Sequence, residues 1–178
     1  MGCNNLWRAI QTDYEELYEQ YRVRWERLQN ESYPVFYEIR DNFNEKQDSS
    51  DLLFLSRTCV NGLIRFNKNG AFNNSLHHTR KGIEPSRLKS ILAVWAKRLR
   101  GIDFRDGDYW ETSQDIQEGD FAYLDPPYFN TRGRYYGTID YERFLEYLDW
   151  LNKRGVKYAL SFDGKRGLKC PKSCSGGI

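Results

Sequence analysis

The sequence predicts an α/β fold with a parallel sheet in its carboxyl-terminal part and a mostly helical amino-terminal part. Two short apolar segments, residues 121–124 and 156–161, flank a helical pattern that begins at Asp140. A strand, a helix and a strand in this order form a right-handed βαβ unit with parallel strands. The 178 residues suit one domain, in which we predict a mostly helical lobe over residues 1–100 and a partial α/β core over residues 101–178.

The first predicted element is a helix over residues 12–30. Thr12 and Glu15 form a capping box at its start. Its apolar residues recur at spacings of three and four: Tyr18, Tyr21, Trp25 and Leu28. Residues 30–50 are interrupted by Pro34 and are rich in Asn, Asp and Ser, so we predict a connection with no more than one helical turn.

For the middle of the chain, the sequence pattern predicts an apolar segment, a loop and a second helix. Residues 51–66 are apolar and helical at first, whereas residues 67–84 lack apolar periodicity and predict a loop or small hairpin. Recognition residues tend to lie in such loops. A basic, amphipathic helix is predicted over residues 86–100. Its apolar stripe consists of Leu88, Ile91, Leu92, Trp95 and Leu99.

The predicted core begins with two short strands. Residues 102–104 predict the first, residues 106–109 predict a turn, and residues 121–124 predict the second strand. Asp125 is therefore expected at the carboxyl end of a strand, which is where open α/β sheets bind their ligands.

A helix and a third strand complete the predicted βαβ unit. Asp140 is placed to cap the helix, which is expected to end near residue 153, before Gly155. The side chains expected to face inward are Phe144, Leu145, Leu148 and Leu151. Residues 156–161 predict the third strand.

Composition excludes several classes of protein. No run approaches the ~18 apolar residues of a membrane span, and the amino terminus lacks the basic-then-apolar layout of a signal peptide, so we predict a cytoplasmic protein with no membrane partner. The four cysteines are too few and too scattered for a disulfide framework. Cys170 and Cys174 could bind zinc only with His77 and His78, and the usual cysteine spacings are absent, so we predict no metal site.

The net charge of +2 hides a strong asymmetry along the chain. Residues 57–100 contain ten basic residues and a single acid, Glu84, and therefore carry +9, which leaves −7 for the rest. A solvated helix face could explain part of this excess, but such faces usually mix both signs. Asparagines that can bond to base edges and phosphates lie among the basic residues. The segment therefore predicts a nucleic-acid partner.

The segment Asp125-Pro126-Pro127-Tyr128 combines an acid, two residues without amide hydrogens and an aromatic ring directly after a predicted strand. A carboxylate and the carbonyl before a proline can both accept hydrogen bonds from an exocyclic amine, and the tyrosine offers a face for a flat ring. A plain turn is the alternative, because Asp and Pro are both turn residues. We favour chemistry on the amino group of a planar ring.

An ordered series of segments resembles the Dam-type adenine-specific DNA methyltransferases. Residues 53–55 and 59–67, followed by residues 70–73, resemble the recognition segment of that family, in which Arg-x-Asn leads to Gly-x-Phe. Residues 119–128 resemble its catalytic strand and loop, and residues 154–161 resemble the next strand. The resemblance implies a Rossmann-like methyltransferase sheet beside a DNA-recognition lobe. It also implies S-adenosylmethionine as cofactor, duplex DNA as partner and methylation of adenine N6.

The resemblance also implies roles for individual residues. Asp125, Pro126, Pro127 and Tyr128 would be catalytic, with Tyr128 stacking on a base that has been flipped out of the duplex. Asp108 and Tyr109, together with Asp125, would contact the cofactor, although a plain turn at 108–109 is nearly as well supported.

For DNA recognition, the resemblance indicates Arg65 and Asn67, with Asn61 and Asn73 as further candidates. Arginine suits bidentate contact with guanine, and asparagine suits adenine. In the alternative interpretation, Arg65 touches only phosphate and the asparagines cap turns.

The sequence departs from the family pattern at two places. The Phe-x-Gly-Gly-type loop that cradles the cofactor is not found before Tyr14, and the further strands of the family's sheet are not found after residues 156–161. We therefore expect a piece of a larger methyltransferase, either truncated or one half of a split enzyme that works with a complementary polypeptide.

Two other functions stay open at this point. The chain could be a catalytically inactive DNA-binding remnant that keeps the basic segment and does not hold the cofactor. It could also act on RNA or on a protein amide, since the acidic Pro-Pro-Tyr segment suits any planar amine. Adenine-N6 methylation of DNA, as in a restriction–modification or related system, is the function we predict.

Overall fold

The computed structural model describes residues 2–126 and 140–161. Its internal contacts divide the chain into two compact units, Met1–Asp108 and Tyr109–Ile178. The described part of the amino-terminal unit contains α1 (Gly2–Glu31), α2 (Pro34–Lys46), α3 (Ser49–Thr58) and α4 (Pro85–Arg98). The described part of the carboxyl-terminal unit contains α5 (Tyr109–Thr112), β1 (Phe121–Leu124), α6 (Tyr141–Lys153) and β2 (Lys157–Leu160). Mixed helices with a small parallel sheet confirm the coarse fold class.

Helix α1 is longer than predicted and has a break at Asp13. The backbone of Asp13 is extended there, with φ −151° and ψ 72°. Its carboxylate accepts a hydrogen bond from the amide of Glu16 at 3.0 Å, as a helix cap does. The Thr12 hydroxyl instead donates to the carbonyl of Arg8 at 2.9 Å. The predicted capping box of Thr12 and Glu15 is therefore wrong, and Asp13 caps the second part of the helix.

Helix α2 occupies most of the segment that was predicted to be a connection. Pro34 stands at its first turn, where the missing amide hydrogen costs nothing. Its buried side chains recur at helical spacing: Val35, Phe36, Ile39 and Phe43. The polar residues that suggested a loop lie between these apolar positions. The prediction was wrong because it weighted the proline and the polar residues above this periodicity.

Helices α1 to α4 all contribute side chains to the core of the amino-terminal unit. Helix α3 begins after Asp48, whose carboxylate accepts from two amides of the first turn, and its Leu52, Phe54 and Leu55 are fully buried. Helix α4 confirms the predicted basic helix. Its apolar stripe is narrower than predicted, because Ile91 and Trp95 remain 37% and 39% exposed.

Residues 102–104 do not form the predicted strand. Their backbone instead receives hydrogen bonds from side chains of α1. Gln11 donates to the carbonyl of Ile102 at 2.8 Å, and Arg8 donates to that of Phe104. A short apolar run does not distinguish a strand from an irregular segment held by distant side chains.

The sheet of the carboxyl-terminal unit confirms the predicted parallel pairing. Phe121 pairs with Lys157 and Leu124 with Leu160, and the amide of Ser161 donates to the carbonyl of Leu124 at 2.9 Å. This last bond extends the pairing to the carboxyl end of β1, directly before Asp125.

Helix α6 confirms the predicted helix between the two strands. The carboxylate of Asp140 accepts from the amide of Arg143, as expected of its cap. The buried side chains are Phe144, Tyr147 and Leu151. Leu145, predicted to face inward, is 43% exposed, because Tyr147 occupies the inward position instead.

Candidate functional site

The amino-terminal unit contains a small hairpin over residues 65–73; we call it the 65–73 hairpin. Phe66 and Phe72 form an antiparallel bridge, and the amide of Asn73 donates to the carbonyl of Arg65 at 3.0 Å. The side-chain oxygen of Asn67 accepts from the amides of Asn69 at 2.9 Å and Ala71 at 3.0 Å. Asn67 therefore shapes the turn of this hairpin.

Asn44 of α2 is hydrogen-bonded to the 65–73 hairpin. The side-chain amide of Asn44 accepts from the Phe72 amide at 2.6 Å and donates to the Phe72 carbonyl at 3.2 Å. Phe72 is buried and packs edge-on against Phe43 and Phe66, with ring centroids 6.2 and 6.1 Å away. Sequence reasoning missed Asn44, because its role depends on the helix that was predicted to be a connection.

Replacing Asn44 with alanine should loosen the 65–73 hairpin without unfolding the unit. Two buried backbone groups of Phe72 would lose their partners, at a cost of about 1–3 kcal/mol. We expect faster amide hydrogen exchange at Phe72 and weaker DNA binding. Asn42→Ala is the matched control, since Asn42 lies on the same helix and bonds to no described residue through its side chain. Equal effects of the two substitutions would contradict the role of Asn44.

A second asparagine ties together the two chain segments at the base of the hairpin. The side chain of Asn74 donates to the carbonyls of Val60 at 3.0 Å and Leu63 at 2.9 Å. Between these two residues the backbone turns through Asn61, which has a φ of 57° and an exposed side chain. Asn74 therefore holds the loop that presents Asn61.

The segment after the 65–73 hairpin is hydrogen-bonded to α1 through the Tyr21 side chain. The hydroxyl of Tyr21 donates to the carbonyl of Ile83 at 2.7 Å and accepts from its amide at 2.9 Å. Burial raises the pKa of Tyr21 to about 12, so the hydroxyl keeps its proton and this bond. A cleft of about 350 Å³ opens beside this segment, and the arginines that line it are Arg57 and Arg80.

The basic residues of segment 57–100 are all exposed. Leaving Lys68 aside, none of them forms an ion pair within residues 2–126 and 140–161, whereas arginines of α1 pair repeatedly with neighbouring acids. Arg65 makes no hydrogen bond through its guanidinium within residues 2–126 and 140–161. Apart from Lys68, this segment therefore presents positive charge that the acids of the described residues do not neutralise through ion pairs, which is the electrostatic pattern of a polyanion-binding surface.

The predicted catalytic segment is described only at its beginning. Asp125 is exposed and Pro126 is half-buried directly beyond the carboxyl end of β1, whereas Pro127 and Tyr128 lie outside the described residues. Within residues 2–126 and 140–161, the Asp125 carboxylate is not bonded to another side chain. It is available to accept hydrogen bonds from a ligand.

Of the three residues predicted to contact a cofactor, Asp108 and Tyr109 are half-buried, whereas Asp125 is exposed. Tyr109 begins α5, and its ring packs edge-on against Tyr147, with the ring centroids 5.0 Å apart. The guanidinium of Arg143 lies 5.8 Å from the centroid of the Tyr109 ring. Asp108 precedes Tyr109 at the end of the amino-terminal unit.

A family profile described as D12 class N6 adenine-specific DNA methyltransferase matches residues 3–167. The match includes the 65–73 hairpin, β1 with Asp125, and β2. The chain belongs to this D12 class.

Several curated DNA methylases are similar in sequence to this chain over most of its length. The type II methyltransferase M.MjaIII of Methanocaldococcus jannaschii is 30% identical over 144 residues, covering 71% of this chain and 48% of the relative. M.FokI of Planomicrobium okeanokoites is 31% identical over 138 residues, covering 71% of this chain and 21% of the relative. A DNA adenine methylase of Vibrio cholerae is 30% identical over 128 residues, covering 70% and 45%. The chain thus spans about half or less of the length of these relatives.

The described residues of this D12-class chain show neither a metal-binding cluster nor a membrane-spanning helix. No group of three or more His, Cys, Asp or Glu side chains placed to hold a metal ion occurs there. Cys170 and Cys174 lie outside those residues. None of the described helices has the length and apolarity needed to cross a membrane.

Proposed function

We propose that this chain methylates N6 of adenine in duplex DNA, with S-adenosylmethionine as the methyl donor. The observation that carries the proposal is the family match over Asp125 and Pro126, which follow the carboxyl end of a parallel strand. Ligands of α/β sheets bind at such strand ends. The proposal includes a Rossmann-like sheet, of which β1 and β2 would form a part.

The chemistry assigned to Asp125 and Pro126 follows from the electronic structure of adenine. The lone pair of its amine is conjugated into the ring, so the nitrogen is a poor nucleophile. The Asp125 carboxylate and the Pro126 carbonyl would accept hydrogen bonds from the two N–H groups of the amine. These bonds would favour a pyramidal nitrogen, whose lone pair is then free to react. Asp125 can also take the proton that this nitrogen loses. Tyr128 would stack on the flipped base.

Asp108 and Tyr109 offer different chemistry for the assigned cofactor contact. S-adenosylmethionine, when bound, supplies a methyl group on a positively charged sulfur. Asp108 offers a half-buried carboxylate that can accept from hydroxyl or amino groups. Tyr109 offers an aromatic ring, which is in edge contact with Phe144 and Tyr147. We propose Asp108 as the polar contact of the two.

Target recognition is assigned to the 65–73 hairpin and the adjoining loop. Arg65 is the proposed base-contacting residue, because its exposed guanidinium can bond bidentately to guanine. Asn61 and Asn73 are exposed and can contact bases or phosphates. The oxygen of Asn67 is used in the turn, so we assign Asn67 to the shape of the hairpin and not to a bidentate base contact.

Cofactor binding and methyl transfer test the proposal directly. Calorimetry of the full chain should detect S-adenosylmethionine binding, and a labelled methyl group should transfer to duplex DNA. RNA and protein serve as competing acceptors in the same assay, and transfer to either instead of DNA would contradict the substrate. DNA binding without cofactor binding would favour an inactive DNA-binding remnant, which the unneutralised basic segment also supports. A complementary polypeptide stays a prediction that neither the relatives nor the described residues support.

A further inference from the structure

Side chains from the first part of α1 hold the segment that leads to Asp108. Residues 99–106, which we call the strap, contain neither helix nor strand beyond the end of α4. The side-chain amide of Gln11 donates both of its hydrogens to the strap, to the carbonyls of Leu99 at 2.6 Å and Ile102 at 2.8 Å. Arg8 donates to the carbonyl of Phe104. The backbone of the strap is thus fixed at three successive points.

The far end of the strap is held through Asp106. One oxygen of its carboxylate accepts from Asn4 at 2.6 Å, and the other accepts from Arg8 at 2.9 Å. The second hydrogen of the Asn4 amide bonds to the carbonyl of Arg105 at 3.2 Å. The position and the orientation of Asp106 are therefore both determined by α1, two residues before Asp108.

Asn4, Arg8 and Gln11 recur at helical spacing, so they share one face of α1. The break at Asp13 separates this first part of the helix from the part that pairs with α3 through Arg24. The residues that bond to the strap thus belong to a short helical segment with its own direction.

The exposure of these groups indicates that they orient the strap more than they stabilise the fold. The side chains of Arg8 and Asp106 are 43% and 36% exposed, and an ion pair this exposed contributes little to stability. Apolar packing of this part of α1 is supplied by other residues, such as Ile10, which is buried in the core. The hydrogen bonds instead determine where the carbonyls of Leu99, Ile102, Phe104 and Arg105 lie.

We propose that Asn4, Arg8 and Gln11 are positioning residues that set the strap, and through it Asp108, in the conformation that binds the cofactor. This inference rests on the proposed function, because Asp108 matters only if S-adenosylmethionine binds there. In metal sites, removing residues that orient the metal ligands changes affinity by about 10–100-fold, and we expect the lower end of that range for the residues that orient the strap.

The test compares Arg8→Ala with Arg22→Ala in the full chain. Arg22 lies on the same helix, is similarly exposed and forms ion pairs with Glu19 and Glu26, so it controls for the loss of a surface pair. Arg8→Ala should raise the calorimetric Kd for S-adenosylmethionine about tenfold, whereas Arg22→Ala should leave it unchanged. Arg8→Lys should recover only part of the affinity. Lysine can pair with Asp106, but it lacks the planar guanidinium whose several N–H donors reach both Asp106 and the Phe104 carbonyl.

Amide hydrogen exchange separates this inference from the proposed function. Arg8→Ala should accelerate exchange in residues 103–109 and leave the 65–73 hairpin unchanged. Normal cofactor affinity in Arg8→Ala, or unchanged exchange in residues 103–109, would overturn the inference. If the unsubstituted chain does not bind the cofactor, the proposed function and the cofactor part of the inference both fail, while exchange still decides whether Arg8 orients the strap. Asn4→Ala provides a second variant should Arg8→Ala not fold.

Discussion

Replacing Asp125 with alanine should abolish methyl transfer and leave DNA affinity nearly unchanged. Asp125 is exposed beyond the end of β1, and its carboxylate bonds to no other side chain within residues 2–126 and 140–161, so its loss removes no described structural bond. The proposed role is to accept a hydrogen bond from the adenine amine while the nitrogen reacts. Losing such a group typically slows an enzyme about 10²–10⁴-fold.

Single-turnover transfer of a labelled methyl group to duplex DNA measures this effect, and fluorescence anisotropy measures DNA affinity in the same preparation. Asp149→Ala is the matched control, because Asp149 is an exposed acid of the same unit on α6. Asp125→Asn keeps one acceptor oxygen and should retain more activity than Asp125→Ala. A parallel loss of DNA binding or of thermal stability in Asp125→Ala would instead make Asp125 a structural residue.

The parts of the fold that the sequence predicted are those with local causes. Helix α6 has a capping aspartate at its start, an apolar stripe, and Gly155 with a φ of 70° at its end, and all three signals lie within a few residues of the element. The parallel pairing of β1 with β2 follows from the helix between them. Such signals can be read without knowledge of distant contacts.

The parts that were wrong or missed depend on contacts across long stretches of sequence. The strap was predicted to contain a strand, yet its conformation is set by Arg8 and Gln11, which lie about ninety residues away in the sequence. Asn44 supports the candidate recognition site through Phe72, 28 residues further along. The motif that includes Asp125 could be predicted from its chemistry. The residues that position the site could not, because the sequence around a polar side chain does not indicate which distant group it will bond to.

The buried ion pair between Arg24 and Asp51 is another such contact, and it fastens α1 to α3. The guanidinium of Arg24 donates to the Asp51 carboxylate at 2.7 Å, and it also bonds to the backbone and side chain of Gln20, each at 2.9 Å. Asp51 is only 5% exposed. Burial raises the pKa of Asp51 above its usual value, and this effect outweighs the lowering by Arg24.

Replacing Arg24 with methionine should destabilise the chain by about 3 kcal/mol at neutral pH, because an uncompensated charge would remain buried at Asp51. A carboxyl group whose pKa is raised by folding favours the folded state below its unfolded pKa, and this contribution is lost as pH rises through the folded value. Without Arg24 the pKa of Asp51 should rise further. The destabilisation should therefore be smallest near pH 4 and grow toward neutrality.

Urea unfolding followed by tryptophan fluorescence at several pH values measures this dependence. Arg22→Met is the control, since Arg22 is an exposed arginine of the same helix and its ion pairs should contribute little. Adding Asp51→Asn to Arg24→Met removes the buried charge and should recover much of the stability at pH 7. A loss of stability that stays constant from pH 4 to pH 7 would contradict the buried charge as its cause, because removing the packed arginine stem alone gives no dependence on pH.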